Sequence, residues 1–233
     1  MAPKREIESK FALSEGKYQG KDILFCTAEV MEAIQQKGWA LTSTNLESLH
    51  FIYYDTPQLD FYRQGATLRR ITGYPPTSEP KAAYRYDYKT GALEERLEST
   101  VWSRWEWSPE KIAKKLIPEG KSGAEIQNQQ EEKALQETAR TDTFSLKLYC
   151  KRWFTQVEIS LDTVSLVPED FDKKKTTYLG TPEAKTFREL EIELLRGSEK
   201  RYEKLVHHLQ EKLQLTAVTQ QKYGRVMDMK RDK

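Results

Sequence analysis

Apolar and polar positions alternate with a period of two over eight stretches of the chain, residues 4–13, 48–54, 66–72, 83–89, 98–107, 144–154, 157–166 and 187–196. Such alternation predicts β-strands with unlike faces. Turn residues stand between many of them: Asp55-Thr56-Pro57, Gly65, Gly73 and Thr90-Gly91. Helical spacing is rarer. Over residues 199–213, Tyr202, Leu205, Val206, Leu209 and Leu213 form one stripe behind Ser198 as a cap. A second helix begins near Thr27, with Val30, Met31 and Ile34 inward, and stops at Lys37-Gly38. A third starts at Ser108-Pro109-Glu110, with Ile112, Leu116 and Ile117 as its apolar side. Residues 118–140 are polar, rich in Gln and Glu and weakly patterned, and read as a helical or partly mobile excursion. The expectation is a mainly β (α+β) fold in one domain spanning residues 1–233, with about eight strands and a few packed helices.

One face of many of these strands is ionic. In the first, alternation puts Lys4, Glu6, Glu8 and Lys10 opposite Ile7, Phe11 and Leu13. Near the other end Glu189, Glu191 and Glu193 lie opposite Leu190, Ile192 and Leu194. Arg85 and Lys89 share a face against Tyr84, Tyr86 and Tyr88, Glu98, Arg104 and Glu106 lie opposite Val101, Trp105 and Trp107, and Glu158 and Asp162 lie opposite Val157, Ile159 and Leu161. Arg69 stands on the 66–72 strand, and Lys147, Lys151 and Arg152 on the 144–154 strand, with Arg152 of opposite parity to the two lysines. A single strand of this kind is often half-exposed, with its charges in water. Three same-face carboxylates, however, raise one another's proton affinity unless cations neutralise them, and hard divalent ions take carboxylate oxygens.

If the ionic faces converge inside a closed sheet, acidic and basic clusters share its interior. Unpaired, each buried charge would cost several kcal/mol. A polyphosphate with divalent cations satisfies both signs, since Lys and Arg contact phosphate oxygens while carboxylates hold metal. An apolar-ligand barrel would need its greasy face inward. Composition agrees: 32% of the 233 residues are charged, yet the formal net charge is only +2. That balance argues against bulk electrostatic attachment to nucleic acid or membrane, so neither is an expected partner. Cys26 and Cys150 form no CxxC pair and the three histidines have no ligand spacing to them, so no zinc site is expected. With no apolar signal region at Met1-Ala2-Pro3-Lys4-Arg5-Glu6 and no long apolar run, the expected compartment is reducing and cytoplasmic.

Glu6-Ile7-Glu8-Ser9-Lys10 is an ExExK signature, and it resembles the CYTH superfamily of triphosphate tunnel metalloenzymes. Other segments follow in the family's order: Tyr53-Tyr54-Asp55-Thr56-Pro57 with Leu59, Gly65-Ala66-Thr67-Leu68-Arg69, Tyr88-Lys89-Thr90-Gly91, Arg104-Trp105-Glu106, Leu161-Asp162, Glu189 to Glu193, and Gln221-Lys222-Tyr223-Gly224-Arg225. Ile71 stands where members often carry a second arginine, Arg70 has the opposite parity, and Gln221 rather than Ser precedes Lys222.

The resemblance implies an eight-stranded antiparallel β-barrel tunnel and hydrolysis of a triphosphate. Glu6, Glu8, Glu191 and Glu193 would hold one or two Mg²⁺ or Mn²⁺ ions, and with Lys10 they form the expected catalytic set. Lys10, Arg69, Lys89, Arg104, Lys222 and Arg152 or Lys151 would bind the triphosphate. Arg85, Glu106, Glu158, Asp162 and Glu189 are further candidates for metal binding or for orienting basic groups. Inorganic tripolyphosphate is the favoured substrate. Thiamine triphosphate, a nucleoside triphosphate, adenylate cyclase chemistry and a noncatalytic binding module are the alternatives. The expected partner is a small-molecule triphosphate, and the expected assembly a monomer or homodimer.

Overall fold

The structure is a computed structural model describing residues 4–13, 16–74, 84–91, 96–117, 135–168 and 185–231. Ten strands are formed by these residues: β1 Lys4–Glu6, β2 Glu8–Ala12, β3 Ala40–Asp55, β4 Thr67–Tyr74, β5 Tyr84–Gly91, β6 Arg96–Ser103, β7 Gln136–Arg152, β8 Thr155–Leu166, β9 Thr186–Arg196 and β10 Thr216–Ala217. They make one antiparallel sheet in the order β1-β6-β5-β4-β3-β7-β8-β9-β2-β10.

β1 and β2 are two halves of the single strand expected at residues 4–13. The break at Ile7 lets the first half pair with β6, Lys4 opposite Glu98, and the second with β9, Lys10 opposite Glu191. Among the described residues no uninterrupted ladder closes the sheet, but this one chain segment joins its two ends and curls it into a tunnel.

Three helices fall where the sequence places them. α1, Ile23–Gln36, starts earlier than expected, because the Asp22 carboxylate accepts from Phe25 N at 2.7 Å and caps it. Next in chain order come a short α2 at Asp60–Arg63 and the expected α3 at Pro109–Leu116, capped by Ser108. α4, Glu199–Leu213, is capped by Ser198 as read. α2 and α5, Lys222–Arg231, were not anticipated, although Tyr223, Val226 and Met227 carry helical spacing. No helix among the described residues is long and apolar enough to cross a membrane.

The outward faces are apolar and covered. α1 and α4 bury Val30, Ile34, Tyr202, Leu205 and Leu209 against Phe11, Leu148, Ile159, Leu161, Leu190 and Ile192, and α3 packs Ile112, Ala113 and Leu116 against Tyr86, Tyr88 and Leu68. α5 is different. Its Tyr223, Val226 and Met227 pack with Phe51, Tyr53, Ile71 and Val164, whose register places them on the inner face, so this helix fills part of one end of the tunnel.

Three boundaries are corrected, the first at β3, which begins at Ala40 rather than at the expected residue 48. β6 ends at Ser103, short of the expected residue 107, because the chain bends at Arg104-Trp105 and brings Trp107 back onto the outer wall, its ring 5.4 Å from that of Tyr86 and parallel to it. β7 begins at Gln136 and pairs with β3, within the stretch read as an excursion. The rest of that stretch, residues 118–134, lies outside the described residues.

Candidate triphosphate and metal site

Parity delivers ionic side chains from nine strands into one cavity of about 610 Å³. β1 and β2 contribute Lys4, Glu6, Glu8 and Lys10; β4 contributes Arg69; β5, Arg85 and Lys89; β6, Arg96 and Glu98; β8, Glu158 and Asp162; β9, Glu191 and Glu193. Lys147 of β7, Glu47 of β3 and Lys222 at the start of α5 complete the ionic lining. Among the described residues eight basic side chains thus face eight acidic ones, and this described lining is near neutral.

Pairing within this wall is dense. Lys89 Nζ donates to Glu6 Oε1 at 2.7 Å, Arg96 contacts Glu8 at 2.5 Å, and Lys10 bridges Glu8 and Glu191. Lys222 Nζ lies 2.7 Å from Asp162, 2.8 Å from Glu189 and 3.3 Å from Glu191. Burial disfavours its charge, but these three carboxylates outweigh burial and hold Lys222 well above its ordinary range. Burial likewise opposes ionisation of Glu191, yet Lys10 and Lys222 hold its carboxyl well below the usual range.

Glu193 is the exception. Burial, then Glu6, push it up to about 7, and neither Lys4, 3.5 Å away, nor Lys89 restores it. Its register neighbours are acidic as well, Glu8 on β2 and Glu158 on β8, a row of three carboxylates across three strands in which Glu158 adds to the rise. A second grouping, Asp162, Glu189 and Glu191, has carboxylate oxygens within 4.8 Å of one another, and Asp162 Oδ1 is buried with no hydrogen-bond partner. Under-neutralised and orphaned carboxylate oxygens are what a hard divalent cation takes, so the residues present fit a metal.

Of the residues singled out in the sequence, Glu6, Glu8, Lys10, Arg69, Arg85, Lys89, Glu158, Asp162, Glu191, Glu193 and Lys222 line this one cavity. Glu189 sits behind it, fully buried and held by Lys222 and by Arg225 at 2.9 Å. Four others lie elsewhere. Arg104 is exposed in the bend after β6, where strand parity no longer applies. Glu106, beyond the same bend, pairs on the outside with Arg70. Lys151 shares the inward parity of Lys147 but lies exposed at the end of β7, past the cavity. Arg152 has the outward parity and lines a separate pocket between α1 and α4. Ile71, at the missing second arginine, lines the cavity as an apolar residue.

Sequence reasoning left out Arg96, Lys147, Glu47 and Asp87 as site residues. Arg96 shares the parity of Glu98 but precedes the expected strand start. Asp87 was legible, lying between Arg85 and Lys89 with the same parity. It is fully buried; burial opposes its ionisation, and Arg85, Arg69 and Lys89 overcome this to hold it at about 2. The Tyr53-Tyr54-Asp55-Thr56-Pro57 segment acts structurally. Asp55 accepts from Thr56 N, Phe61 N, Tyr62 N and the Tyr223 hydroxyl, tying α2 and α5 to the end of β3.

No protein-family model and no curated protein matches the sequence. Solved structures do share its architecture. The PH1819 protein of Pyrococcus horikoshii OT3 is 17% identical, with a TM-score of 0.50 over 97% of this chain and 99% of that one. A Bacillus halodurans protein provisionally named as an adenylate cyclase is 15% identical, with a TM-score of 0.51 over 97% and 98%. A Hippeastrum protein described as an adenylyl cyclase candidate with a dominant triphosphatase activity is 13% identical, with a TM-score of 0.48 over 96% and 95%. At these identities the likeness to the Pyrococcus horikoshii and Bacillus halodurans proteins shows a shared fold.

Proposed function

We propose that the protein hydrolyses a triphosphate in this cavity with the help of a divalent cation, Mg²⁺ or Mn²⁺, and that inorganic tripolyphosphate is cleaved there to pyrophosphate and phosphate. The observation that carries the reading is the lining of eight basic and eight acidic side chains in one space. A bare triphosphate would leave such a neutral cavity strongly negative, whereas a triphosphate with its cations matches both halves of the wall.

Arg69, Arg85, Lys89 and Lys10 would contact phosphate oxygens and stabilise charge on the transferring phosphoryl group. Glu6, Glu8, Glu158 and Glu193, or Asp162 with Glu191, would hold the cation, which supplies further neutralisation of that charge and polarises water. A water molecule attacks the terminal phosphorus in line, the bridging P–O bond breaks toward pyrophosphate, and the water's proton leaves through the carboxylate-rich wall. No serine or cysteine nucleophile is required.

The test is phosphate release from tripolyphosphate, ATP and thiamine triphosphate at equal concentration with Mg²⁺, Mn²⁺ or chelator, beside a folded Glu6→Gln/Glu8→Gln variant. Metal-dependent release that the variant loses supports the hydrolase and ranks its substrates. Tight binding of all three with no release of phosphate or pyrophosphate would make the tunnel a binding module instead.

A further inference from the structure

The β7–β8 hairpin ends in an arrangement that neither packing nor the tunnel explains. Its register runs to Arg152 opposite Thr155, leaving a loop of two residues, Trp153 and Phe154. Trp153 adopts φ 57°, the left-handed region that a two-residue hairpin normally fills with glycine or asparagine. Both side chains stand in solvent, Trp153 70% and Phe154 83% exposed. The chain thus places two large exposed rings at this turn, in a backbone conformation unfavourable to the first of them.

Directly behind the tip lies a pocket of about 570 Å³ whose lining includes Lys37, Arg152, Arg201, Lys204 and His207. Among its described lining residues Glu211 is the one carboxylate, and it pairs with His207 at 3.3 Å. The Arg201 guanidinium lies 5.9 Å from the centre of the Trp153 ring, which ties the tip to the basic pocket. Exposed Lys151 adds a further charge at the tip.

We propose that this hairpin tip docks the protein reversibly on an anionic phospholipid surface, Trp153 and Phe154 entering the interfacial layer while Arg152, Arg201, Lys204 and Lys37 meet lipid phosphates. Aromatic insertion and a basic patch are each weak alone and together suffice for peripheral attachment. A nucleic acid would call for a basic track with a flat stacking platform, whereas here two exposed rings stand on a two-residue turn and the cations line the pocket behind them. The sequence-based expectation of no membrane partner rested on overall charge and on the absence of a long apolar segment, and a local device of this kind escapes both. Tyr149 and Glu158, which line the tunnel, pair three rungs below the tip, so docking brings one tunnel mouth toward the lipid surface.

The test is co-sedimentation of the intact protein with phosphatidylcholine vesicles and with vesicles in which about a third of the lipid is phosphatidylserine. The expected result is sedimentation with the anionic vesicles alone, reversed by salt. Trp153→Gly/Phe154→Ser should abolish it while keeping the hairpin, because glycine accepts the left-handed position. Arg201→Gln/Lys204→Gln should weaken it about 30-fold, and both variants should keep triphosphate turnover in solution. Equal sedimentation with neutral and anionic vesicles, or anionic binding unchanged in both variants, overturns the proposal. So does a lipid-free dimer that Trp153→Gly/Phe154→Ser converts to monomer, which would make the tip an interface between copies.

Discussion

Replacing Asp87 by asparagine removes one negative charge from the inner wall with almost no change of shape. Its carboxylate accepts from Arg69 Nε and Nη2 at 3.2 and 3.0 Å, from Arg85 Nε at 2.8 Å, and from the Thr100 hydroxyl at 3.0 Å. The depressed value, about 2 against an ordinary 3.8, corresponds to about 2–3 kcal/mol of stability. Breaking a buried ion pair from one side typically costs about 3–5 kcal/mol, and the two figures overlap near 3. At ~2–4 °C per kcal/mol for a domain of this size, Asp87→Asn should melt roughly 6–12 °C below the wild type at neutral pH. The sign with pH follows from the direction of the shift. A carboxyl held below its unfolded value stabilises fully above that value and loses its contribution as pH falls through the folded one. The deficit should therefore be complete at neutral pH and shrink toward about pH 2. Circular dichroism melts at several pH values, with and without tripolyphosphate, read this directly. Because Arg69 then lacks its counter-charge and Arg85 keeps only Glu98, tripolyphosphate should raise the melting temperature of the variant more than that of the wild type. A variant melting within about 2 °C of the wild type at neutral pH would show that Asp87 does not neutralise these arginines, and the ionic-wall reasoning would fail.

Glu193 shifts the opposite way. Its carboxyl is raised to about 7, so its ionisation destabilises the metal-free protein, and stability present below the ordinary value of 4.5 is lost as pH rises through 7, by at most about 3 kcal/mol. In chelator, Glu193→Gln should flatten the pH dependence of the denaturant midpoint between about pH 5 and 8; parallel curves for variant and wild type would refute this. Lys222→Met leaves Asp162, Glu189 and Glu191 facing one another without their shared cation and should cost about 3–5 kcal/mol, part of it recovered by Mg²⁺. Mg²⁺ without effect on that variant's melting would mean that the cluster does not accept a cation. Arg104→Ala, altering a residue outside the cavity, should leave kcat/KM for tripolyphosphate within about twofold of the wild type, whereas Arg69→Ala should lower it about tenfold or more. The reverse order would move the phosphate site to the bend after β6.

What the sequence determined by itself is what period-two alternation can carry. Wherever a strand is regular, its charged face could be read from the order of residues alone: Lys4, Glu6, Glu8 and Lys10 on one strand, Glu189, Glu191 and Glu193 on another, Arg85 and Lys89 on a third. The amphipathic stripe and serine cap of α4 were equally local. Where regularity ends, parity loses its meaning. Arg104 and Glu106 follow a bend that takes them out of the wall, and Lys151 lies past the cavity at a strand's end. Splitting of the first strand at Ile7, which joins the two ends of the sheet, was not legible, because residues 4–13 alternate as one uninterrupted strand and only the partners on β6 and β9 divide them. Nor could local pattern show that α5 packs on the inner face, that Lys222 enters the carboxylate cluster through it, or that the charges pair as they do. Those outcomes depend on which strands become neighbours, and a Coulomb interaction is set by distance in space rather than by separation along the chain.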